Sequence, residues 1–390
     1  MVVEIDKAVW AAPLGRGGPP TKLPAVRSTH ESPNVVADTG DAQGLARPPL
    51  LVLRPLEAFL DAHGLGGGPV EAEPIGDGHS NITYLLRRGA ERWVLRRPPR
   101  PPLPPSAHDV LREYRVLKAC AGTPVRVAEP LAACDDLAVI GAPFYVMGYV
   151  PGVVMTTALP EGYDPVLDAE RVVDELVSAL AEIHALDWRS AGLADYAPSP
   201  ETYIERQLSR FGRLWKHNKT REIEAVERVS RWLDRARPSS SAPTLVHGDF
   251  RLGNSIFSAE APARLLAVLD WELSTIGDPL ADLGYLTATY AVAGDHRDPL
   301  VRLGPVTALP GFPDRDGVIE RYASASGRDV GDLLWYEALA LWKGAIFLEG
   351  SYGRMLNGTT DDPFFAELER GVPELAARAW ELAQRAGATR

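Results

Sequence analysis

The apolar positions divide this chain into three stretches. From Met1 to Pro49 the sequence is rich in Gly, Pro, Ala, Ser and Thr and shows no hydrophobic period. That composition predicts a disordered or loosely attached tail over 1–49. Order is expected from Leu50. In LLVLRPLEAFLDAHG, Leu53, Leu56, Phe59 and Leu60 fall at helical spacing, and Gly64 closes the segment. Ile82, Tyr84 and Leu86, then Trp93, Val94 and Leu95, predict two short strands around a turn at Arg88-Gly89-Ala90. A proline-rich loop (Pro98 to Pro105) leads to a helix from about His108 to Ala121, with Val110, Leu111, Tyr114 and Leu117 on one face. Two more strands are expected, Val127 to Cys134 and Ala142 to Val150.

After Pro151-Gly152 the period becomes mostly helical. Val172 to Leu186 and Glu201 to Arg237 are amphipathic, one β patch interrupts from Thr244 to Glu272, and helices then resume to the C-terminus. This order predicts an α+β chain with a β-rich N-terminal lobe and hinge over 50–150 and a mainly helical C-terminal lobe over 151–390.

Composition narrows the partners. With 45% hydrophobic and 24% charged residues, the 390-residue chain reads as a soluble globular protein. Its net charge of −11 argues against nucleic acid, which calls for a basic face. No apolar run approaches the roughly 20 residues that span a bilayer, and the N-terminus lacks the pattern of a signal peptide. Two isolated cysteines, Cys120 and Cys134, make neither a disulfide framework nor a zinc site. They read as thiols in a reducing cytoplasm.

The strongest chemical signal is Val246-His247-Gly248-Asp249, then Asn254, then Leu269-Asp270-Trp271-Glu272. Phosphoryl transfer explains the set. Its loose, charge-rich transition state asks the protein mainly to position and neutralise. One carboxylate is needed beside the acceptor hydroxyl, for which Asp249 suits, and hard oxygen ligands are needed for Mg2+, for which Asn254 and Asp270 suit. A hairpin formed by Ser255-Ile256-Phe257 and Leu265 to Leu269 would set its open ends, Asn254 and Asp270, side by side. Taken singly, each of these residues reads equally well as a surface turn residue. In the N-terminal lobe, Gly76 and Gly78 in GDGHSNITYLL mark a tight turn whose backbone N–H groups can cradle phosphates. Ser80 and Asn81 can add donors there. An ordinary hairpin is the alternative for that turn alone.

HGDFRLGN and LDWE resemble the catalytic loop and metal-binding segment of aminoglycoside phosphotransferases, choline kinases and their relatives, which share the bilobal fold of protein kinases. The resemblance implies Asp249 as catalytic base and Asn254 and Asp270 as Mg2+ ligands. His247 would be a buttress of the catalytic loop, and Asp282, in GDPLADL, a brace for it. It implies a basic residue on the second strand that holds ATP phosphates and pairs with a helix acid. Arg96 and Glu113 match those places, with Arg standing where protein kinases use Lys. Arg97 would point to the other face of the strand, so Arg96 is preferred. FYVMGYVPG resembles the hinge strand. There the carbonyl of Gly148 and the N–H of Val150 would read the adenine edge, and Met147 would pack near the base.

GHSNITYLL, VLRRPP and IGAPFYVMGYVPG are most similar to the kinase-like domain fused to acyl-CoA dehydrogenases. That subgroup implies transfer from ATP to a small-molecule hydroxyl, that of a hydroxyacyl-CoA. The alternatives are an antibiotic (aminoglycoside or macrolide) phosphotransferase and a non-catalytic nucleotide-binding module. His184 is expected to be a packed core histidine. Arg251 is open between a phosphate contact and a solvated loop arginine. Trp335, Tyr336, Trp342 and Phe347 are expected in a helical core. The acids Asp329, Asp332, Glu337 and Glu349 are interleaved with those aromatics, which is too apolar for a polycation site.

Overall fold

The computed structural model describes residues 34–76, 81–101, 108–239, 241–294, 299–358 and 364–388. They form two compact units, one of residues up to 118 together with 128–149, the other of 119–127 together with residues from 150 onward.

In the first unit, regular structure is present before Leu50. Strand β1 (Val35–Val36) pairs in parallel with β2 (Leu51–Val52), and the N–H groups of Leu50 and Leu51 donate to the carbonyl of Asn34. Residues 34–49, expected within the tail over 1–49, thus include a paired strand; residues 1–33 of that expectation lie outside the described residues. Two valines suffice to extend a ladder, too short a signal for any period to register. Helix α1 (Leu53–Ala62) follows, burying Leu56 and Leu60. Next come β3 (Glu71–Ile75), β4 (Ile82–Arg88), β5 (Glu91–Arg97), α2 (Val110–Cys120), β6 (Pro130–Cys134), α3 (Leu137–Ile140) and β7 (Phe144–Gly148). Five of these strands make one antiparallel sheet in the order β3-β4-β5-β7-β6.

The period of two sorts its faces. Tyr84, Leu86, Trp93, Leu95, Phe144 and Val146 join Leu56 and Leu60 of α1 in one core. Tyr145 turns to the other face and meets Tyr114 of α2, ring centroids 5.7 Å apart. Two adjacent arginines at the end of β5 must accordingly part company.

The second unit contains α4 (Leu167–Ala185), α5 (Tyr203–Asn218), α6 (Glu224–Arg235), β8 (Thr244–Val246), β9 (Ser255–Phe257), β10 (Leu265–Val268), β11 (Thr275–Gly277), α7 (Leu280–Thr289), α8 (Arg315–Ser326), α9 (Leu333–Leu356) and α10 (Phe364–Ala388). Helix α9 is the axis on which α5, α6, α7 and α10 pack. Trp335 and Trp342 are buried on it and donate their indole N–H groups to the carbonyls of Leu233 and Val226 on α6. Phe347, expected in this core, instead is 60% exposed. It lies about 140° round the helix from Trp342, beyond the apolar stripe. No helix among the described residues is long and apolar enough to cross a membrane.

Candidate active site

In the second unit two short antiparallel ladders carry the polar residues. Strands β8 and β11 pair, leading into His247-Gly248-Asp249. Strands β9 and β10 pair with Ser255 opposite Val268, and the next rung is the N–H of Leu269 on the carbonyl of Asn254 at 2.8 Å. Asn254 and Asp270 therefore stand at the open end of one hairpin. Asp270 takes a left-handed backbone (φ 66°, ψ 63°), a conformation that non-glycine residues seldom adopt and that marks functional turns.

His247 joins the two ladders. It is fully buried, its Nε2 lies 2.8 Å from the carbonyl of Leu269, and its Nδ1 lies 3.2 Å from the N–H of Asp249. These partners fix a neutral ring, with Nε2–H donating and Nδ1 accepting, so neither nitrogen is left for proton transfer. Phe250 and Trp271 flank the ring at 5.9 and 4.6 Å between centroids. Gly248 has φ 88°, and a Cβ there would lie 2.6 Å from the carbonyl oxygen of Leu273. Only glycine lets the loop turn so close to that backbone.

Asp282, in the first turn of α7, receives the N–H groups of His247 and Gly248, each at 2.7 Å, and His184 Nε2 at 3.3 Å. Burial opposes its charge, but the hydrogen bonds from His184 and the Gly248 N–H hold its pKa below the ordinary carboxylate value. Burial keeps His184 neutral, and Tyr322 contacts its Nδ1 at 2.7 Å.

Asp249 is 19% exposed at its side chain. Asn254 Nδ2 donates to its backbone carbonyl at 2.9 Å and to its Oδ2 at 2.7 Å. Arg251 Nε approaches Oδ1 at 3.7 Å, so this arginine faces the carboxylate rather than bulk solvent. Tyr285 also lies beside Asp249, and burial together with that carboxylate raises its pKa well above the ordinary phenol value. The sequence reading passed over Tyr285. Its signal was the i, i+3 spacing from Asp282 on α7, which places both on one helix face.

The donor set suits a hard cation. With both amide hydrogens of Asn254 on Asp249, its Oδ1 is turned the other way and accepts no hydrogen bond among the described residues. Asp270 supplies a carboxylate one rung further along. No cluster of three or more His, Cys, Asp or Glu side chains poised for a metal occurs among the described residues. One carboxylate and one amide oxygen match the sparse protein ligation of Mg2+, whose remaining sites go to water and phosphate.

In the first unit, Arg96 Nε lies 2.9 Å from Glu113 Oε2, with the glutamate side chain only 2% exposed. Arg97 goes to the opposite face, where its guanidinium reaches the carbonyls of Leu50, Ile140 and Pro98. Burial lowers its pKa to about 10. Met147 and Gly148 lie at the end of β7, the N–H of Gly148 donating to Glu129 at 2.8 Å. Val150 follows the strand. Gly76 ends β3 with φ 83°, and Asn81 is buried, 3.2 Å from His108 Nδ1. Gly78 and Ser80 lie outside the described residues.

The second unit holds the HGD loop and the Asn254–Asp270 hairpin, and the first, separately, holds the Arg96–Glu113 pair; both sets are of the kind a phosphotransferase needs. The chain belongs to the phosphotransferase enzyme family, whose model matches residues 71–317. It is 34% identical over 339 residues to mouse (Mus musculus) acyl-CoA dehydrogenase family member 10, across 85% of this chain and 31% of that protein. It is 37% identical over 326 residues to chicken (Gallus gallus) acyl-CoA dehydrogenase family member 11, across 82% of this chain and 41% of that protein. The chain thus spans less than half the length of these curated relatives. A solved structure from Ralstonia eutropha JMP134, assigned to the aminoglycoside phosphotransferases, superposes with a TM-score of 0.72 at 33% identity, over 85% of this chain and 98% of that one. The fold is the kinase-like fold of that family.

Proposed function

We propose that this chain is an ATP- and Mg2+-dependent kinase that phosphorylates a hydroxyl group of a small molecule. The observation that carries the reading is the network in which His247, Asp282 and Asn254 fix one half-buried carboxylate, Asp249, next to the open hairpin end. Asp249 accepts the hydroxyl proton. The acceptor oxygen forms a bond to the γ-phosphorus as the bond from that phosphorus to the ADP oxygen breaks. Asn254 Oδ1 and Asp270 would hold Mg2+, which would supply positive charge against the phosphates. Arg96, paired with Glu113, is the cation proposed to meet phosphate oxygens. Met147, the Gly148 carbonyl and the Val150 N–H are the groups proposed to meet the adenine.

The acceptor proposed is a hydroxyacyl-CoA. Its support is the likeness to proteins named for acyl-CoA chemistry. The acids of α9 favour it over a polycationic antibiotic. Glu349 is fully buried and engaged by Thr220 and Arg221, and Glu337 is buried, so neither is presented to a cation.

The test is mass-spectrometric detection of transfer from Mg-ATP to a panel of hydroxyacyl-CoAs, aminoglycosides, macrolides, choline and homoserine, with Asp249→Asn as control. A phosphorylated hydroxyacyl-CoA formed by the wild type alone supports the reading. Phosphorylation of an antibiotic instead replaces the acceptor, and silence across the panel with ATP bound overturns the kinase assignment.

A further inference from the structure

The chain carries a net charge of −11, yet one place in the second unit gathers cations that lack acids. Arg206 and Arg210 lie one turn apart on α5, on the face that also holds Tyr203. Lys343 lies on α9, against which α5 packs, with Nζ 4.9 Å above the ring of Phe211. Among the described residues none of the three is within ion-pair distance of a carboxylate. Arg206 Nη1 is buried without a hydrogen-bond partner.

Two acids lie within electrostatic reach of Lys343, Asp282 and Asp249, along with the like charge of Arg210. Neither acid is free to neutralise it. Asp282 is occupied by His184 and two backbone N–H groups, and Asp249 by Asn254 and Arg251. Burial, with Arg210 adding to it, brings the Lys343 pKa down to about 8. Arg210 and Lys343 approach one ring, that of Phe211, at 6.0 and 4.9 Å, and Arg206 stands one turn from Arg210; cations held so without counter-charges cost free energy in the empty protein, and a bound anion removes that cost.

We propose that Arg206, Arg210 and Lys343 form an anion-binding subsite where α5 packs on α9, in the unit that holds Asp249, and that the acceptor carries an oxyanion, a phosphate or a carboxylate, which this subsite holds. The proposal rests on the kinase reading of Asp249 and adds the charge of its acceptor. Hydrogen bonds from charged donors orient the acceptor so that its hydroxyl meets Asp249. The subsite also rejects polycations by like-charge repulsion.

The test has two measurements on the full chain. In the first, KM is measured for three forms of one hydroxy acid: the free acid, its CoA thioester and its uncharged amide. Lys343→Met and Arg210→Gln are expected to raise KM for the charged acceptor about tenfold or more, with KM for ATP and for the amide changed less than about twofold. Lys343→Arg is expected to recover most of the loss. A response to the free acid alone assigns the anion as its carboxylate, and a response to the thioester alone assigns it as a CoA phosphate. Equal losses for charged and uncharged acceptors, or a change confined to the KM of ATP, overturn the subsite.

The second measurement does not depend on turnover. The chain has only six lysines, so amine labelling at pH 8 resolves Lys343 by peptide mass. With Mg-ADP saturating, CoA thioester or hydroxy acid is expected to protect Lys343 and the amide is not. Protection without transfer to any acceptor leaves the subsite standing and removes the kinase reading. Transfer without protection does the reverse.

Discussion

Asn254 gives both hydrogens of its side-chain amide to Asp249, one to the backbone carbonyl at 2.9 Å and one to Oδ2 at 2.7 Å. One contact thus settles two things. It fixes the carboxylate proposed to take a proton, and it forces the amide oxygen of Asn254 to face the opposite way, where a cation could use it. The proposed base and the proposed metal ligand are coupled through a single planar group, with His247 and Asp282 holding the loop behind it.

That coupling separates the roles of the two acids. Asp249→Asn is expected to abolish transfer while Mg-nucleotide affinity stays within about threefold, since its carboxylate serves the acceptor. Asp270→Ala is expected to weaken Mg-nucleotide binding as well. Calorimetric titration of both variants checks this, and equal loss of binding in the two would sink the assignment.

The pair under the sheet has a stability signature. Arg96→Met leaves Glu113 as a buried carboxylate without its arginine, and should cost about 3–5 kcal/mol. Adding Glu113→Leu should restore most of the stability without restoring nucleotide affinity. Arg97→Met should destabilise by stranding the Leu50 and Ile140 carbonyls, with nucleotide affinity unaltered in the protein that remains folded. Denaturant melts paired with nucleotide titrations distinguish the three.

Asp282 should make the His247-Gly248-Asp249 loop acid-sensitive. Its folded pKa lies below the ordinary value of 3.8. Its contribution is therefore complete above that value and is lost as pH falls through the lower folded value. Asp282→Asn should cost about 3 kcal/mol or more at pH 7, with the gap to wild type narrowing below about pH 4. Thermal melts across pH give the comparison.

Lys343 has the opposite sign. Its folded pKa is about 8 against an ordinary 10.5, so at pH 7 the folded state carries a penalised ammonium. Between those values the unfolded chain binds more protons, and wild-type stability rises with pH. Lys343→Met should therefore be the more stable protein at pH 7, by about 1–3 kcal/mol. The difference should close as pH rises from 8 towards 10. A variant less stable than wild type at pH 7 would mean the lysine is not held against its charge.

Local pattern alone carried the elements and the local register. Alternation in Ile82-Tyr84-Leu86 and Trp93-Leu95 specified strands, and the hairpin spacing between Asn254 and Asp270 specified that they would stand together. The same period of two separates Arg96 from Arg97, because adjacent residues on a strand face opposite ways. Three things needed the tertiary fold. The ladder at Val35–Val36 is too short to leave a periodic trace and exists only because β2 is there to pair with. Phe347 reads as one more core aromatic until packing on α9 decides which stripe is covered. Tyr285, Arg206, Arg210 and Lys343 come from helices far apart in the chain, and their meaning lies in which charges they stand near. Spacing within one segment fixes what neighbours along the chain can do. Whether a buried cation finds an acid depends on contacts between segments, which only the folded structure determines.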